Sequence, residues 1–151
     1  MIRSHVAVAI LSAALVAGIP ACTASDQPIG SPSTAATPPG PETLTPLLEQ
    51  ALPNAQGKTF TSAIVSFPPS ARAVPHRHGD AFVYAYVLEG NVNSKLDDEP
   101  ARTFRQGENW VEQPGAHHVL TENVSTTESA QLLVVFISST GDALKIDDPH
   151  H

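Results

Sequence analysis

Four histidines in the middle of the chain are the residues whose types and spacing could do chemistry. They form two clusters, His76 with His78 and His117 with His118, which the segment 79–116 separates. Two side chains at positions i and i+2 of an extended segment point to the same side, and neutral imidazole is the commonest protein ligand of transition metals. Two ligands from one strand and one or two from a facing strand therefore predict a metal site that leaves coordination positions open.

The segments around these clusters have strand character. Residues 58–67 (KTFTSAIVSF) are rich in the β-branched and aromatic residues that favour strands, and residues 129–139 (SAQLLVVFISS) form an apolar run suited to a buried strand. Residues 82–96 predict a strand, a turn around Gly90 and a second strand. Further breaks at Gly107 and at Pro114–Gly115 divide the remainder into short extended pieces. Many short strands with regular turn signals predict an all-β sandwich or barrel.

One segment before the strands predicts a helix. In residues 44–52 (LTPLLEQAL) the apolar residues recur at helical spacing, and Pro46 stands near the start, where a helix tolerates proline. We therefore expect a short N-terminal helix at this position.

The N-terminus is typical of an exported protein. Residues 6–19 are apolar and uncharged but too few to span a membrane, which is the pattern of a signal-peptide core. They lead to Ile-Pro-Ala-Cys, which resembles a bacterial lipoprotein processing site except for its proline, and which makes Cys22 the lipid-modified first residue. An ordinary secretory signal cut after Ala21 is the alternative. Residues 22–43 are rich in Pro, Ser and Thr and predict a flexible linker.

The expected organisation is thus a signal peptide at 1–21, a linker at 22–43 and a folded domain at 44–148. The expected location is the periplasm or the membrane surface, with an N-terminal lipid anchor as the protein's only contact with the membrane. Cys22 is the only cysteine, so the mature domain has no disulfide. The net charge of −7 and the lack of any basic run argue against nucleic acid as a partner.

The histidine clusters and their flanks resemble the two motifs of the cupin superfamily. The first motif contains His-x-His, then three or four residues, a glutamate, six residues and a glycine; here His76 and His78 begin it and the sequence YVLEG at 86–90 ends it. The second contains a glycine, five residues, Pro-x-Gly, two residues and a histidine. Gly107 begins it and His118 ends it, although Gln113 stands at the proline position and Pro114–Gly115 matches the frequent Pro-Pro-Gly form. The resemblance extends over residues 58–138.

This resemblance implies a small single-domain cupin, a double-stranded β-helix (jelly-roll barrel) of six to eight strands that is often a homodimer. It also implies a divalent transition metal (Fe, Mn, Ni, Cu or Zn) inside the barrel, in contact with a small-molecule ligand or substrate. The metal ligands that it implies are His76, His78 and His118, with His117, Asp80 and Gln113 as additional candidates.

The sequence departs from the family at the glutamate of the first motif. Counting back from Gly90 places that glutamate at Val83, or at Phe82 with the shorter spacing, and neither side chain can ligate. The nearest acid, Asp80, fits turn chemistry better. Three neutral imidazoles would leave the double charge of the ion uncompensated and make it a stronger Lewis acid. Zinc accepts three histidines and water, and some cupin-like dioxygenases hold iron in this way; a decayed pocket is the rival interpretation.

The other polar and aromatic residues near the motifs suggest structural roles. Trp110 and Phe104 are expected in the core or the pocket wall, whereas Glu108, Glu112 and Glu122 are expected to be solvated. Two functions stay open. The first is a metal-dependent enzyme, of which a non-haem dioxygenase or related oxidoreductase is the leading form. The second is a non-catalytic cupin that binds a small ligand or a metal at the cell envelope.

Overall fold

A computed structural model describes residues 40–149, which form ten strands and no helix. The strands pair antiparallel in two five-stranded sheets, sheet A in the order β1-β2-β9-β4-β7 and sheet B in the order β10-β3-β8-β5-β6. In chain order the strands are β1 (Thr43–Ala51), β2 (Lys58–Phe67), β3 (His76–Arg77), β4 (Phe82–Glu89), β5 (Asn91–Leu96), β6 (Arg102–Arg105), β7 (Asn109–Glu112), β8 (His117–Asn123), β9 (Ala130–Ser139) and β10 (Ile146–Asp147).

The predicted all-β class is confirmed, and the strand expected at 58–67 has the bounds of β2. The predicted turn between β4 and β5 is also present and consists of Gly90 alone. Gly90 has a φ of 75°, and a Cβ at this position would lie 2.8 Å from the carbonyl oxygen of Ser129. Only glycine therefore fits this turn without strain or displacement of the neighbouring chain.

The helix expected at 44–52 is wrong, because these residues belong to strand β1. Their partners run from Thr43 opposite Ser66 to Ala51 opposite Thr59, along the full length of β2. A helix of this length without packing partners is marginal, whereas pairing with β2 satisfies its backbone groups. The irregular register between Pro46 and Leu48 places the proline at a bulge of an edge strand, where a missing N–H is tolerated.

The core lies between the inward faces of the two sheets. In β9, buried and half-buried residues alternate along all ten positions, and in β4 they alternate over most of the strand. Several inward residues are alanines, among them Ala73 and Ala85. Small side chains fill less of the space between two sheets, so the sequence of the core leaves room for a cavity.

The predicted signal peptide, most of the linker and Cys22 lie outside the described residues, and their roles stay predictions. Within residues 40–149, the structure contains no helix that is long and apolar enough to cross a membrane.

Candidate metal centre

The structure brings His76, His78 and His118 together between the sheets. His76 in β3 lies directly opposite His118 in β8, so both side chains leave the same face of sheet B, and His78 follows two residues after His76. One ring nitrogen from each of the three lies within 4.8 Å of the other two. His76 and His118 are only 5% and 3% exposed. Two buried imidazoles and one half-buried imidazole at this separation form a group that could hold a metal ion.

Backbone carbonyls orient two of the rings. The Nδ1–H of His76 donates to the carbonyl oxygen of Val74 at 2.7 Å, and the Nδ1–H of His78 donates to the carbonyl of Leu144. Because a carbonyl can only accept, Nδ1 of each ring carries the proton and Nε2 keeps the lone pair. This outer hydrogen bond is the usual way in which proteins fix the tautomer of a metal-binding histidine.

Two hydroxyl groups orient the third ring. Nε2 of His118 lies 2.8 Å from Oγ of Ser94 and 2.7 Å from Oγ1 of Thr121. In the tautomer whose Nδ1 could ligate a metal, the Nε2–H donates to one of these hydroxyls. That Nδ1 is buried and has no hydrogen-bond partner.

Glu112 lies beside the histidines, so the expectation that it is solvated is wrong. It is 3% exposed and reaches the group from β7 in sheet A. Its Oε1 lies 3.1 Å from Nδ1 of His118, and its Oε2 lies 3.5 Å from Nε2 of His78. Oε1 accepts a hydrogen bond from the indole N–H of Trp110 at 3.1 Å, whereas Oε2 is buried without a hydrogen-bond partner.

Strand pairing explains how Glu112 reaches this position. It lies directly opposite Val83 on the adjacent strand β4, so both side chains point to the same face of sheet A. The sequence already indicated that Glu112 faces inward. Trp110 was expected in the core or pocket wall, and a residue two positions further along a strand faces the same way. Applied to β7, that rule places Glu112 inside the barrel.

The structure does not bring the additional ligand candidates to the group. Nε2 of His117 lies 2.7 Å from Oδ2 of Asp148, because His117 alternates with His118 along β8 and leaves its other face. Asp80 and Gln113 are exposed in the turns after β3 and β7. Trp110 and Phe104 are buried as expected, with ring centroids 4.7 Å apart.

The electrostatics of the site favour the protonation states that bind metal. Burial lowers the pKa of His76 to about 4, although the hydrogen bond to Val74 opposes the change. Burial also lowers the pKa of His78, against the opposing charge of Glu112. Burial alone would raise the pKa of Glu112, but the neighbouring His118 and His78 and the hydrogen bond from Trp110 together lower it. At neutral pH the two imidazoles are uncharged and the carboxylate is ionised, as metal ligation requires.

A cavity of about 270 Å³ adjoins the histidines and Glu112. At its rim, Nζ of Lys145 lies 2.7 Å from Oε1 of Glu42 and 2.9 Å from Oδ1 of Asp147. This ion pair connects the segments that precede β1 and β10. The rest of the wall is mainly apolar and comes from both sheets: Leu44, Val65, Phe67, Ala73, Ala85, Trp110, Leu132, Val134 and Phe136.

The sequence of residues 63–136 matches the family described as the cupin domain. This part of the chain is similar to cupin domains. The match covers both histidine clusters and Glu112, and the two-sheet fold with histidines between the sheets agrees with it. The described residues can also be compared with solved structures of the same fold.

Three such structures illustrate the likeness. A conserved protein with a double-stranded β-helix domain from Klebsiella pneumoniae is 15% identical, with a TM-score of 0.58 over 74% of this chain and 87% of its own. The DMSP lyase DddQ from Ruegeria pomeroyi is 18% identical, with a TM-score of 0.57 over 70% of this chain. An oxalate oxidase in complex with glycolate is 25% identical, with a TM-score of 0.52 over 67% of this chain.

The chain spans only 50% of the lyase and 52% of the oxalate oxidase. The comparison with curated proteins finds no match. These similarities show the fold alone.

The residues of the histidine group and Glu112 fit a metal ion. The two atoms that are buried without a hydrogen-bond partner, Nδ1 of His118 and Oε2 of Glu112, both belong to this group. Unpartnered buried polar atoms are rare in folded proteins. A metal ion in contact with both atoms would compensate the carboxylate oxygen and accept the lone pair.

Proposed function

We propose that this protein is an exported, metal-dependent cupin that oxidises a small molecule with dioxygen. The observation that carries the proposal is the convergence of His76, His78 and His118, within 4.8 Å of one another, on the wall of an apolar pocket. A centre buried only for structural reasons would not need an adjoining cavity, whereas a centre that acts on a ligand needs room for it.

The three histidines would hold the ion, and the hydrogen bonds to Val74, Leu144, Ser94 and Thr121 would keep their rings in place. A bound divalent metal would supply Lewis acidity and, if it is iron or copper, the redox chemistry that dioxygen requires. In the reaction as proposed, both atoms of dioxygen enter the organic substrate, so no external reductant is consumed. Iron is the metal we propose first.

The walls of the cavity indicate the class of substrate. A volume of about 270 Å³ accommodates a small molecule, and side chains such as Phe67, Leu132 and Phe136 would contact an apolar body and exclude water from it. A single polar group on that molecule would face the histidines. The lyase and the oxidase that share the fold also act on small molecules.

Export rests on the N-terminal sequence. The uncharged apolar residues 6–19 followed by Cys22 support a cleaved signal and a lipid anchor, with the linker 22–43 holding the domain away from the membrane. Mass spectrometry of the protein from a bacterial membrane fraction tests this. We expect a lipid-modified cysteine as the first residue, and in Cys22→Ser a protein that is released from the membrane.

A non-catalytic binding protein is the second candidate, and the pocket's titratable residues favour it. Among the described residues that line the cavity, the only titratable groups besides the histidines are Glu42, Glu112 and Lys145. Glu112 contacts the histidines, and Glu42 and Lys145 pair with each other. Each of these described side chains already has a charged or metal-binding partner, so none is available as a general base for a substrate in the cavity. Capture of a ligand without turnover fits this lining.

Elemental analysis and oxygen uptake discriminate between the two candidates. The mature chain without His150 and His151 is purified, so that these two C-terminal histidines do not add weakly bound metal. We expect one equivalent of metal, which His76→Ala and His118→Ala each remove. Oxygen uptake by the iron-loaded protein is then measured with a panel of small apolar alcohols, ketones and acids. Stoichiometric metal and saturable ligand binding without oxygen uptake would support the binding protein instead.

A further inference from the structure

We propose that Glu112 is the carboxylate ligand of this metal centre, supplied from strand β7 in place of the residue at position 83. The inference rests on the proposed metal site and extends it from three ligands to four. Three independent features of the described residues carry it: the distances from the carboxylate to the imidazoles, the two unpartnered atoms, and the pairing of β4 with β7.

The distances from Glu112 are those that separate two ligands of one ion. With metal–ligand bonds of about 2.0 to 2.2 Å, neighbouring donor atoms lie about 3.0 Å apart in an octahedral site and about 3.4 Å apart in a tetrahedral one. Oε1 of Glu112 lies 3.1 Å from Nδ1 of His118, and Oε2 lies 3.5 Å from Nε2 of His78. Each contact involves the ring nitrogen that does not bond to Leu144, in His78, or to Ser94 and Thr121, in His118.

The unpartnered atoms indicate what the carboxylate contacts when it functions. A buried carboxylate is costly unless opposite charge and hydrogen bonds compensate it. Oε1 of Glu112 has the Trp110 N–H, but Oε2 has no hydrogen-bond partner, and neither has Nδ1 of His118. Among the described residues, Lys145 is the only lysine or arginine that lines this cavity, and it pairs with Glu42 at the rim. A divalent cation would compensate both unpartnered atoms at once.

The pairing of β4 with β7 explains why the carboxylate can come from the neighbouring strand. Val83 and Glu112 are opposite residues of an antiparallel pair, whose Cβ atoms lie about 4.5 to 5.5 Å apart on the same face of the sheet. A carboxylate on either strand therefore enters the same part of the barrel. Val83 itself is fully buried and does not line the cavity.

The fourth ligand changes the charge of the centre. The sequence predicted three neutral imidazoles and an uncompensated double charge, whereas Glu112 reduces the net charge of the occupied site to about +1. The ion should consequently be a weaker Lewis acid than in a centre of three histidines alone, and its attraction for anionic substrates should be smaller. Neutral polar groups, such as a hydroxyl or a carbonyl, become the better match to the apolar cavity.

Metal titration of matched glutamate variants tests the proposal. Glu112→Gln keeps the volume and the acceptor for Trp110 but removes the anionic donor. Glu108→Gln, at a partly exposed glutamate that pairs with Arg102 just before β7, is the matched control. Both are made in the mature chain without His150 and His151. We expect Glu112→Gln to weaken the Zn(II) affinity about 100-fold, to judge from the losses that even outer-sphere substitutions cause, and Glu108→Gln to change it less than threefold.

Co(II) absorption supplies a readout that does not depend on activity. The visible bands of bound Co(II) respond to the number and type of its ligands, so Glu112→Gln should shift them and Glu108→Gln should not. Val83→Glu combined with Glu112→Gln should restore most of the Zn(II) affinity. Val83→Glu alone should raise the Zn(II) affinity of the wild-type protein by less than it raises that of Glu112→Gln, because the wild type already has a carboxylate ligand.

The outcomes separate this inference from the proposed function. An unchanged Zn(II) affinity and an unchanged Co(II) spectrum in Glu112→Gln, with metal still lost in His76→Ala, would overturn the role of Glu112 and leave the three-histidine centre standing. Stoichiometric metal in both His76→Ala and His118→Ala would overturn the centre itself. If Glu112→Gln does not fold, a tenfold or larger gain in Zn(II) affinity from Val83→Glu alone would show that the carboxylate position is vacant, which also overturns the inference.

Discussion

Acidification should destabilise the metal-free protein through His76. Burial lowers the pKa of this imidazole from 6.5 to about 4 in the folded state, whereas the unfolded chain restores the ordinary value. Between these two values the unfolded state binds more protons than the folded state, so the free energy of unfolding falls as the pH falls. The stabilisation is fully present above pH 6.5 and is lost as the pH drops towards 4.

The size of the effect follows from the two pKa values. Their difference corresponds to about 3 kcal/mol over the whole titration, and about 2 kcal/mol of this falls between pH 7 and pH 5. His76 is only 5% exposed, so solvent screening reduces the figure little. The contribution of His78 to the pH dependence of stability has the same sign, because burial lowers its pKa as well. Glu112 contributes below this window, because its pKa is lowered from 4.5.

Urea unfolding at pH 7 and pH 5, in the presence of a chelator, measures the effect. Between pH 7 and pH 5 the free energy of unfolding should fall by about 2 kcal/mol more in the wild-type protein than in His76→Gln, since that variant lacks the titrating group. His117→Gln, at a histidine on the outer face of the sheet, is the control and should still show the loss of stability that is attributed to His76. Equal losses in wild type and His76→Gln would refute the reasoning, because His76 would then titrate alike in the folded and unfolded states.

Three further substitutions test the fold and the cavity. Gly90→Ala should cost about 3 kcal/mol in urea unfolding, because the residue has a φ of 75° and its Cβ would lie 2.8 Å from the Ser129 carbonyl oxygen; a loss below 1 kcal/mol would contradict that geometry. Ala85→Leu should fill the cavity, so that a small aromatic probe such as indole no longer binds by NMR while Zn(II) affinity stays within threefold; retained indole binding would argue against this cavity as the ligand site. Lys145→Met should remove the ion pair with Glu42 and speed the transfer of metal to a chelator several-fold, at a cost of less than about 1 kcal/mol in stability for a partly exposed pair; an unchanged transfer rate would mean that the rim does not control access.

The strands of the barrel could be predicted from sequence wherever composition and tertiary context agree. Residues 58–67 are rich in β-branched and aromatic residues, and they form strand β2 with the predicted bounds. The helix prediction for residues 44–52 was wrong for a physical reason. Their leucines recur at helical spacing, but Leu44, Leu47 and Leu48 stay exposed on an edge strand, where the free edge of β2 decides the conformation. Local periodicity does not contain that long-range pairing.

The candidate site was predictable to the extent that its residues lie close together along the chain. His76 and His78 share a strand face because of their spacing, and the motif that ends in His118 supplied the third histidine. Glu112 was missed because its role depends on which strand lies beside β4, a relation between residues that are 29 positions apart. The i, i+2 relation to Trp110 was the one local signal for its orientation.

The register between β4 and β7 also has a consequence for how such proteins can diverge. Since Val83 and Glu112 face each other, a lineage could move its carboxylate from one strand to the other by two single substitutions, through an intermediate that carries both acids or neither. Each intermediate retains the three histidines, so the ion need not be lost on the way. A pattern defined by spacing along one strand would class the resulting chain as lacking a ligand, although its centre is complete. Under such a change the place of the carboxylate in the sheet would stay the same, whereas its position in the sequence motif would not.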